Sequence, residues 1–135
     1  MQKTDKVWVV MPVYNEEASI SHVLDNWIPV LRDTLEDFVL CILNDGSKDK
    51  TLEIIQKYTK LHPYIMVVDK PNSGHGQTCI HGYKLALKNN ADWVFQMDSD
   101  GQCNPMYFKD VVRESNLGKA VYGFRKTRDD GWKRY

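Results

Sequence analysis

The sequence predicts an α/β protein in which a predominantly parallel sheet is flanked by helices. Its apolar runs are continuous rather than alternating, as expected of strands that are buried on both faces. These runs recur about every 30 residues, the length of one strand–helix–strand unit, and helical periodicity fills the intervals. Polar clusters follow the ends of four runs. Because ligands bind beyond the carboxyl ends of parallel strands, these clusters predict a binding site at one edge of the sheet.

Five strands are predicted from runs that are rich in β-branched and aromatic residues. They span residues 7–11, 38–43, 65–68, 93–97 and 120–124. Pro12 directly follows the first run. We expect it to end that strand, because proline has no N–H group to donate to a sheet.

Four helices are predicted between the strands. The first has apolar residues at helical spacing, namely Ile20, Val23, Leu24, Trp27 and Leu31. Pro29 is expected to kink this helix or to start a second short one. Asp49 can cap the second helix.

The third helix follows residues 72–76, a loop that is too rich in glycine for the interior of an element. Its predicted buried stripe consists of Cys79, Tyr83, Ala86 and Leu87. The fourth helix is predicted to begin at Pro105, which suits a first turn, and to extend to about residue 115.

The composition is that of one globular domain, with 135 residues and 42% hydrophobic content. Zero formal net charge gives no general attraction for nucleic acids. The three cysteines lack metal-ligand spacing, so free thiols in a reducing, cytoplasmic compartment are expected. No signal peptide or apolar run of about 20 residues is visible. Membrane contact is therefore expected only through an acceptor or through elements that would follow Tyr135.

Residues 98–102 are the feature around which a site is predicted. Asp98 and Asp100 are separated by one residue at the end of an apolar run, where two carboxylates repel each other and lose water. A cation would stabilise them. Oxygen ligands from Asp98, Asp100 and Gln102 suit Mg²⁺ or Mn²⁺, which commonly bridge to phosphates. The alternative is a turn made by acidic residues and glycine, without a metal.

Two further clusters suggest contacts to a nucleotide. The carboxylate of Asp45 can accept a hydrogen bond from a base N–H or a ribose hydroxyl, and an Asx turn is the alternative. Gly74 and Gly76 would let the backbone approach a phosphate closely, with the N-terminus of the third helix directed at the anion. His75 between them could contact a phosphate, although a loop histidine is more often solvated.

The carboxyl-terminal stretch, residues 118–135, is basic, with six basic and two acidic residues. Arg125, Arg128 and Arg134 suit bidentate phosphate binding. A solvated basic tail is the alternative.

Together these pieces resemble the family 2 glycosyltransferases of the GT-A fold. The matching segments are VVMPVYNEE at 9–17, LNDGSKD at 43–49, NSGHG at 72–76 and MDSDGQ at 97–102. Their order and spacing cover nearly the whole chain, and four motifs in register are far more specific than any one. Within the family, the chain is most similar to the polyprenyl-phosphate glycosyltransferases. This likeness rests on Gln102 and on Gly123-Phe124-Arg125, with Arg128 and Arg134 downstream.

The resemblance implies a nucleotide pocket lined by Pro12, Tyr14 and Glu16, with Asp45 holding the base. His75 stands between two glycines where family members usually have a basic or small residue.

The resemblance also implies the catalytic residues. Asp98 would approach the ribose and diphosphate, and Asp98, Asp100 and Gln102 would bind the divalent ion. Arg125 and Arg134 would bind the phosphates of the donor or the acceptor.

The activity implied is an inverting, metal-dependent sugar transfer from a UDP- or GDP-linked donor, with a polyprenyl phosphate of the cell envelope as one candidate acceptor. Family members are longer, so residues 1–135 are expected to form the nucleotide-sugar-binding GT-A domain, truncated before the acceptor-binding part. The full-length protein would act at the cytoplasmic face of a membrane. The alternative function is a nucleotide-binding module without transferase turnover.

Overall fold

The structure is a computed structural model that describes residues 4–99, 104–116, 126–127 and 131–132. Strands and helices alternate along the described chain. They are β1 (Lys6–Val13), α1 (Ile20–Thr34), β2 (Asp37–Asp45), α2 (Thr51–Leu61), β3 (Ile65–Lys70), α3 (His75–Lys88), β4 (Trp93–Gln96), α4 (Pro105–Asn116), β5 (Lys126–Thr127) and β6 (Gly131–Trp132). The first four strands form a parallel sheet in the order β3-β2-β1-β4, which confirms the predicted fold class. β5 and β6 pair antiparallel. The strand predicted at 120–124 lies outside the described residues.

Helices cover both faces of the parallel sheet. Side chains of a strand point alternately to opposite faces, so strands that are apolar throughout give the sheet two apolar faces to bury. Val9 and Met11 of β1 belong to the larger apolar cluster, which is completed by α1, α2 and α4. Trp8 and Val10 belong to a smaller cluster with Ala86 of α3. In the described part of the chain, α3 alone covers that second face.

The order of the strands places a crevice at one edge of the sheet. β2 and β4 lie on opposite sides of β1, so the direction of winding reverses at β1. In open α/β sheets, such a reversal leaves room for a ligand beyond the carboxyl ends of the strands. The loops after β1, β2, β3 and β4 therefore all border the same region.

Pro12 does not end β1, contrary to the expectation from the sequence. The carbonyl of Val10 accepts a hydrogen bond from Met97 N at 2.9 Å, so the backbone groups of Val10 point toward β4. The backbone groups of a strand repeat their direction every second residue, so those of Pro12 point toward β4 as well. Ladder pairing with β4 stops at Val10, so no N–H donor is required at Pro12. Its carbonyl instead accepts a hydrogen bond from the Ser99 hydroxyl at 3.2 Å.

Three details of the helices also differ from the expectations. Pro29 does not start a second short helix but lies inside α1, which is a single helix; the expected kink stays a prediction. Pro29 is exposed, so water can satisfy the carbonyl that loses its N–H partner. α3 begins at His75, so the predicted loop includes the first two residues of the helix. Leu87, expected in the buried stripe of α3, is 72% exposed.

Two of the three cysteines, Cys41 and Cys79, are described and buried, and Cys41 is a free thiol as predicted. Burial raises the pKa of Cys41 to about 12, so this residue is a neutral thiol at physiological pH. Cys103 lies outside the described residues.

Gly82 lets α3 approach the sheet closely. A β-carbon at this position would lie 2.5 Å from Val10 Cγ1 and 3.1 Å from Leu43 Cδ1. Gly82→Ala should therefore lower the free energy of unfolding by about 1–3 kcal/mol, despite the better helix propensity of alanine. Gly76→Ala on the same helix is the control, because no atom lies within 4 Å of its β-carbon position.

We expect Gly76→Ala to leave stability unchanged or to raise it by up to about 1 kcal/mol. Urea unfolding of the two variants measures both effects. Equal behaviour of the two variants would contradict close packing at Gly82.

Candidate functional site

A cavity of about 390 Å³ lies at the carboxyl ends of β1, β2 and β4. Its lining residues are Pro12, Val13, Tyr14, Glu16, Asp45, Asn72, Gly74, His75, Asp98 and Ser99. Six of these were predicted to bind the nucleotide, although they belong to four segments that are distant in the sequence. Gly76 lies in the first turn of α3, next to the lining residue His75. A larger groove of about 530 Å³ between α1 and α2 contains none of the predicted site residues.

The carboxylate of Asp45 holds the segment that follows β3. Its Oδ1 accepts hydrogen bonds from Lys70 Nζ at 2.7 Å and Ser73 N at 2.8 Å, and its Oδ2 accepts one from Gly74 N at 3.0 Å. The side chain of Asn72 donates to the Asp45 carbonyl at 2.9 Å. The Asp45 carboxylate is therefore hydrogen-bonded to the loop after β3 rather than to its own turn. It does not form the Asx turn that was the predicted alternative.

Asp45 is ionised at neutral pH although it is buried. Burial raises the pKa of this carboxyl group, but hydrogen bonds from Lys70, Ser73 N and Thr78, together with the charge of Lys70, more than offset that effect. The pKa of Asp45 consequently lies below its usual value. The cavity thus has a fixed anionic acceptor in its wall.

Lys70 is a site residue that sequence reasoning missed. Its ammonium group also donates to the Pro71 carbonyl at 2.8 Å and to the Ser73 hydroxyl at 2.5 Å. With Asp45, these acceptors account for all three of its N–H donors at short distance. The predicted third strand stopped at Val68, but β3 continues to Lys70, which is in register with Asp45. The sequence did contain a signal for this pair, because Asp45 and Lys70 have opposite charges and follow the second and third predicted strands.

The loop after β1 is bound to the loop after β2 by hydrogen bonds in both directions. Asn15 N donates to Ser47 Oγ at 2.9 Å, and Asn15 Oδ1 accepts from Lys48 N at 2.8 Å. Asn15 has a φ of 49°, a left-handed conformation that asparagine tolerates better than most residues. These contacts hold the neighbouring residues Tyr14 and Glu16 at the cavity.

Glu16 precedes α1 and contributes to the start of that helix. Its Oε2 accepts a hydrogen bond from Ser19 Oγ at 2.7 Å, and its carbonyl accepts from Ile20 N at 2.8 Å. Its backbone N–H donates to Thr51 Oγ1 at 2.8 Å, which ties the loop to α2. Glu16 thus has structural contacts in addition to its place in the cavity wall.

Asp98 follows β4 and is only 7% exposed where it lines the cavity. A buried carboxylate at this place suits a hard divalent cation because it offers an anionic oxygen ligand. Over the described ranges, no group of three or more His, Cys, Asp and Glu side chains could hold a metal. The other predicted ligands, Asp100 and Gln102, lie outside the described residues, as do Arg125 and Arg134.

Fold and site together define the class of this protein, an α/β protein of the GT-A type with a polar cavity at the carboxyl ends of its parallel strands. Glycosyl transferase family 2 matches residues 8–135. The chain therefore belongs to glycosyl transferase family 2, as the motifs in its sequence predict.

The relatives of the chain include a polyprenyl-phosphate enzyme. Over 134 residues, the chain is 30% identical to the undecaprenyl-phosphate 4-deoxy-4-formamido-L-arabinose transferase of Proteus mirabilis (strain HI4320). The match covers 97% of this chain and 40% of the relative. This chain thus spans about two fifths of the length of that relative.

Two solved structures are similar in fold. S. aureus TarS in complex with UDP-GlcNAc superimposes with a TM-score of 0.65 and 27% identity, over 83% of this chain and 31% of that chain. Glucosyl-3-phosphoglycerate synthase from Mycobacterium tuberculosis, in complex with Mn²⁺, UDP-glucose and phosphoglyceric acid, gives a TM-score of 0.63 and 25% identity. That match covers 86% of this chain and 41% of the synthase.

Proposed function

We propose that this chain binds the nucleotide-sugar donor of an inverting family 2 glycosyltransferase that depends on Mg²⁺ or Mn²⁺. The observation that carries the proposal is the single cavity lined by Pro12, Tyr14, Asp45 and Asp98. Its volume is in the range of small-molecule sites. The similar M. tuberculosis synthase was crystallised with a nucleotide sugar and Mn²⁺, which supports the same ligand class here.

Asp45 is our candidate for the contact to the nucleobase. Its Oδ2 accepts hydrogen bonds from Gly74 N at 3.0 Å and from Asn72 Nδ2 at 3.4 Å, and a base N–H would take the place of the longer one. An ionised acceptor favours uracil or guanine, which present a ring N–H at the centre of the base-pairing edge. Adenine and cytosine present a ring lone pair there, which the carboxylate would repel. Tyr14, 44% exposed at the cavity, can stack on the base.

The diphosphate is assigned to the part of the pocket that Asp98 lines. Asp98, Asp100 and Gln102 would hold the divalent ion, which when bound neutralises charge on the leaving diphosphate. Arg125 and Arg134 would bind phosphate oxygens through their planar guanidinium groups. Gly76 in the first turn of α3 would permit a close approach of the backbone to a phosphate, whereas the N–H group of Gly74 already donates to Asp45 at 3.0 Å.

The proposed reaction forms a bond between an acceptor oxygen and the anomeric carbon while the bond to the nucleoside diphosphate breaks. Attack from the face opposite the leaving group inverts the configuration, and the bonding electrons leave with the diphosphate. The P. mirabilis relative is named for undecaprenyl phosphate. An acceptor of that class is already anionic and needs no base from the protein.

Thermal-shift measurements with UDP, GDP, ADP and CDP, each with and without Mn²⁺, test the binding proposal. UDP or GDP should raise the melting temperature more than ADP or CDP, and only with the metal. Asp100→Ala should weaken the binding of the preferred diphosphate by more than about tenfold, or about 1.4 kcal/mol. Asp33→Ala, at an exposed ion pair on α1, is the control and should leave affinity unchanged.

Unchanged affinity in the presence of a chelator or in Asp100→Ala would refute metal-dependent binding. A transfer assay with the matching sugar nucleotide and a polyprenyl phosphate then separates the transferase from the alternative of a nucleotide-binding module. Binding without transfer would support the module.

A further inference from the structure

α3 exposes apolar side chains on the side that points away from the sheet. Its buried side consists of small residues, among them Gly82 and Ala86. Ile80 and Leu87 lie seven residues apart on the opposite side, where they are 42% and 72% exposed. Lys84 lies between them. We call Gln77, Ile80, Lys84, Leu87 and Lys88 the outer face of α3.

The outer face lies in a basic segment of a chain whose formal net charge is zero. No acidic residue occurs between Asp69 and Asp92. Lys84 and Lys88 are exposed, and neither forms an ion pair within the part of the chain that the structure describes. A groove of about 320 Å³ runs along the same helix, with His81, Lys84 and Lys88 in its lining.

We propose that the outer face of α3 binds peripherally to an anionic lipid bilayer. Ile80 and Leu87 would enter the boundary between headgroups and acyl chains, while Lys84 and Lys88 extend to the lipid phosphates. An acidic protein surface would match the two lysines alone, whereas an anionic bilayer matches the lysines and the aliphatic side chains between them. Across the described ranges, no helix is long and apolar enough to cross a membrane.

This contact would bring the cavity close to the bilayer, because Gly74 and His75 at the start of α3 line the cavity. A lipid-linked acceptor would then be presented near the proposed donor site. The inference itself rests on the surface of α3 and does not require transferase activity. It revises the expectation that membrane contact occurs only through an acceptor or through elements beyond Tyr135.

Co-sedimentation of the chain with vesicles tests the proposal. The probes are phosphatidylcholine vesicles and vesicles that also contain phosphatidylglycerol, at low and high salt. We expect binding to the anionic vesicles that weakens with salt. The variants Lys84→Glu/Lys88→Glu and Ile80→Ser/Leu87→Ser should each lower the partition coefficient by at least about tenfold, because the first removes the attraction to anionic lipid and the second removes the aliphatic groups that would be buried.

α2 offers matched controls, because it also has exposed lysines and an exposed leucine. Lys57→Glu/Lys60→Glu makes the same change of charge, and Leu61→Ser removes a leucine that is 74% exposed. These controls should change partitioning by less than about twofold.

Failure of the unmodified chain to bind anionic vesicles would overturn the proposal, as would equal losses in the α2 controls. Loss in the charge variant with full binding in Ile80→Ser/Leu87→Ser would also overturn it and would favour an acidic protein partner. None of these measurements depends on nucleotide binding, so the membrane proposal and the proposed function can fail separately.

Discussion

Lys70→Met should lower the free energy of unfolding by about 3–5 kcal/mol at neutral pH, because it leaves the buried carboxylate of Asp45 without its cationic partner. The side chains of Lys70 and Asp45 are only 10% and 5% exposed, so water replaces the lost ammonium group poorly. The same change should reduce nucleotide binding, since Lys70 also holds Pro71 and Ser73 beside the cavity. Urea unfolding gives the stability, and a nucleotide thermal shift gives the second effect.

The effect of Lys70→Met should depend on pH. The pKa of Asp45 in the folded protein lies below its usual value, so its ionised form stabilises the fold above the pKa of the unfolded chain, about 3.9. This contribution is lost as the pH falls through the lower, folded pKa. The difference in unfolding free energy between the unmodified protein and Lys70→Met should therefore shrink below about pH 4.

Two further variants make this prediction specific. Asp45→Asn/Lys70→Met removes both charges and should be less destabilised than Lys70→Met alone. Lys109→Met breaks the ion pair with Asp33, whose side chains are 43% and 73% exposed, and should cost at most about 1 kcal/mol. If Lys70→Met costs no more than Lys109→Met, the buried pair does not stabilise the site.

Gly46→Ala should be similarly disruptive, with a loss of about 2–5 kcal/mol from backbone strain and a steric clash. Gly46 has a φ of 68°, and a β-carbon there would lie 2.6 Å from the backbone nitrogen of Asn72. The backbone at Asn72 must move to relieve the clash. Because residues 73 and 74 donate hydrogen bonds to Asp45, we expect the cavity to lose its shape and nucleotide binding to weaken.

Asn90→Ala is the control for backbone strain. Asn90 follows α3, is exposed and has a φ of 58°. Alanine at this position must adopt the left-handed conformation, but at the surface of the protein. We expect it to cost about 1 kcal/mol and to leave nucleotide binding unchanged. Equal losses of stability in Gly46→Ala and Asn90→Ala would show that contact with Asn72 contributes nothing.

The parallel sheet could be predicted because strands that are buried on both faces must be apolar throughout their length. The same rule explains where the predicted boundaries were wrong. β2 extends to Asp45 and β3 extends to Lys70, both polar residues that hydrophobicity assigns to loops. These strand ends reach the cavity, where polar side chains contact one another instead of a hydrophobic core.

Helical periodicity found the buried side of α3 but not its limits: Cys79 and Ala86 are buried as predicted, and Leu87 is not. The predicted stripe included Leu87, because leucine usually packs in a core. In the structure, Gly82 and Ala86 face the sheet at close range, and Leu87 faces away. The short distance between helix and sheet requires small residues at the contact. That distance cannot be predicted from the sequence.

By itself, the sequence determined the parallel α/β fold, the family and the clusters that would meet at the ends of the strands. Continuous apolar runs and short motifs specify these features locally. Only the tertiary structure decided that Asp45 pairs with Lys70, that Asn15 joins two loops and that the outer face of α3 is apolar and basic. Each of these depends on the register of neighbouring strands or on which side of an element meets the core, and residues distant in the chain set both.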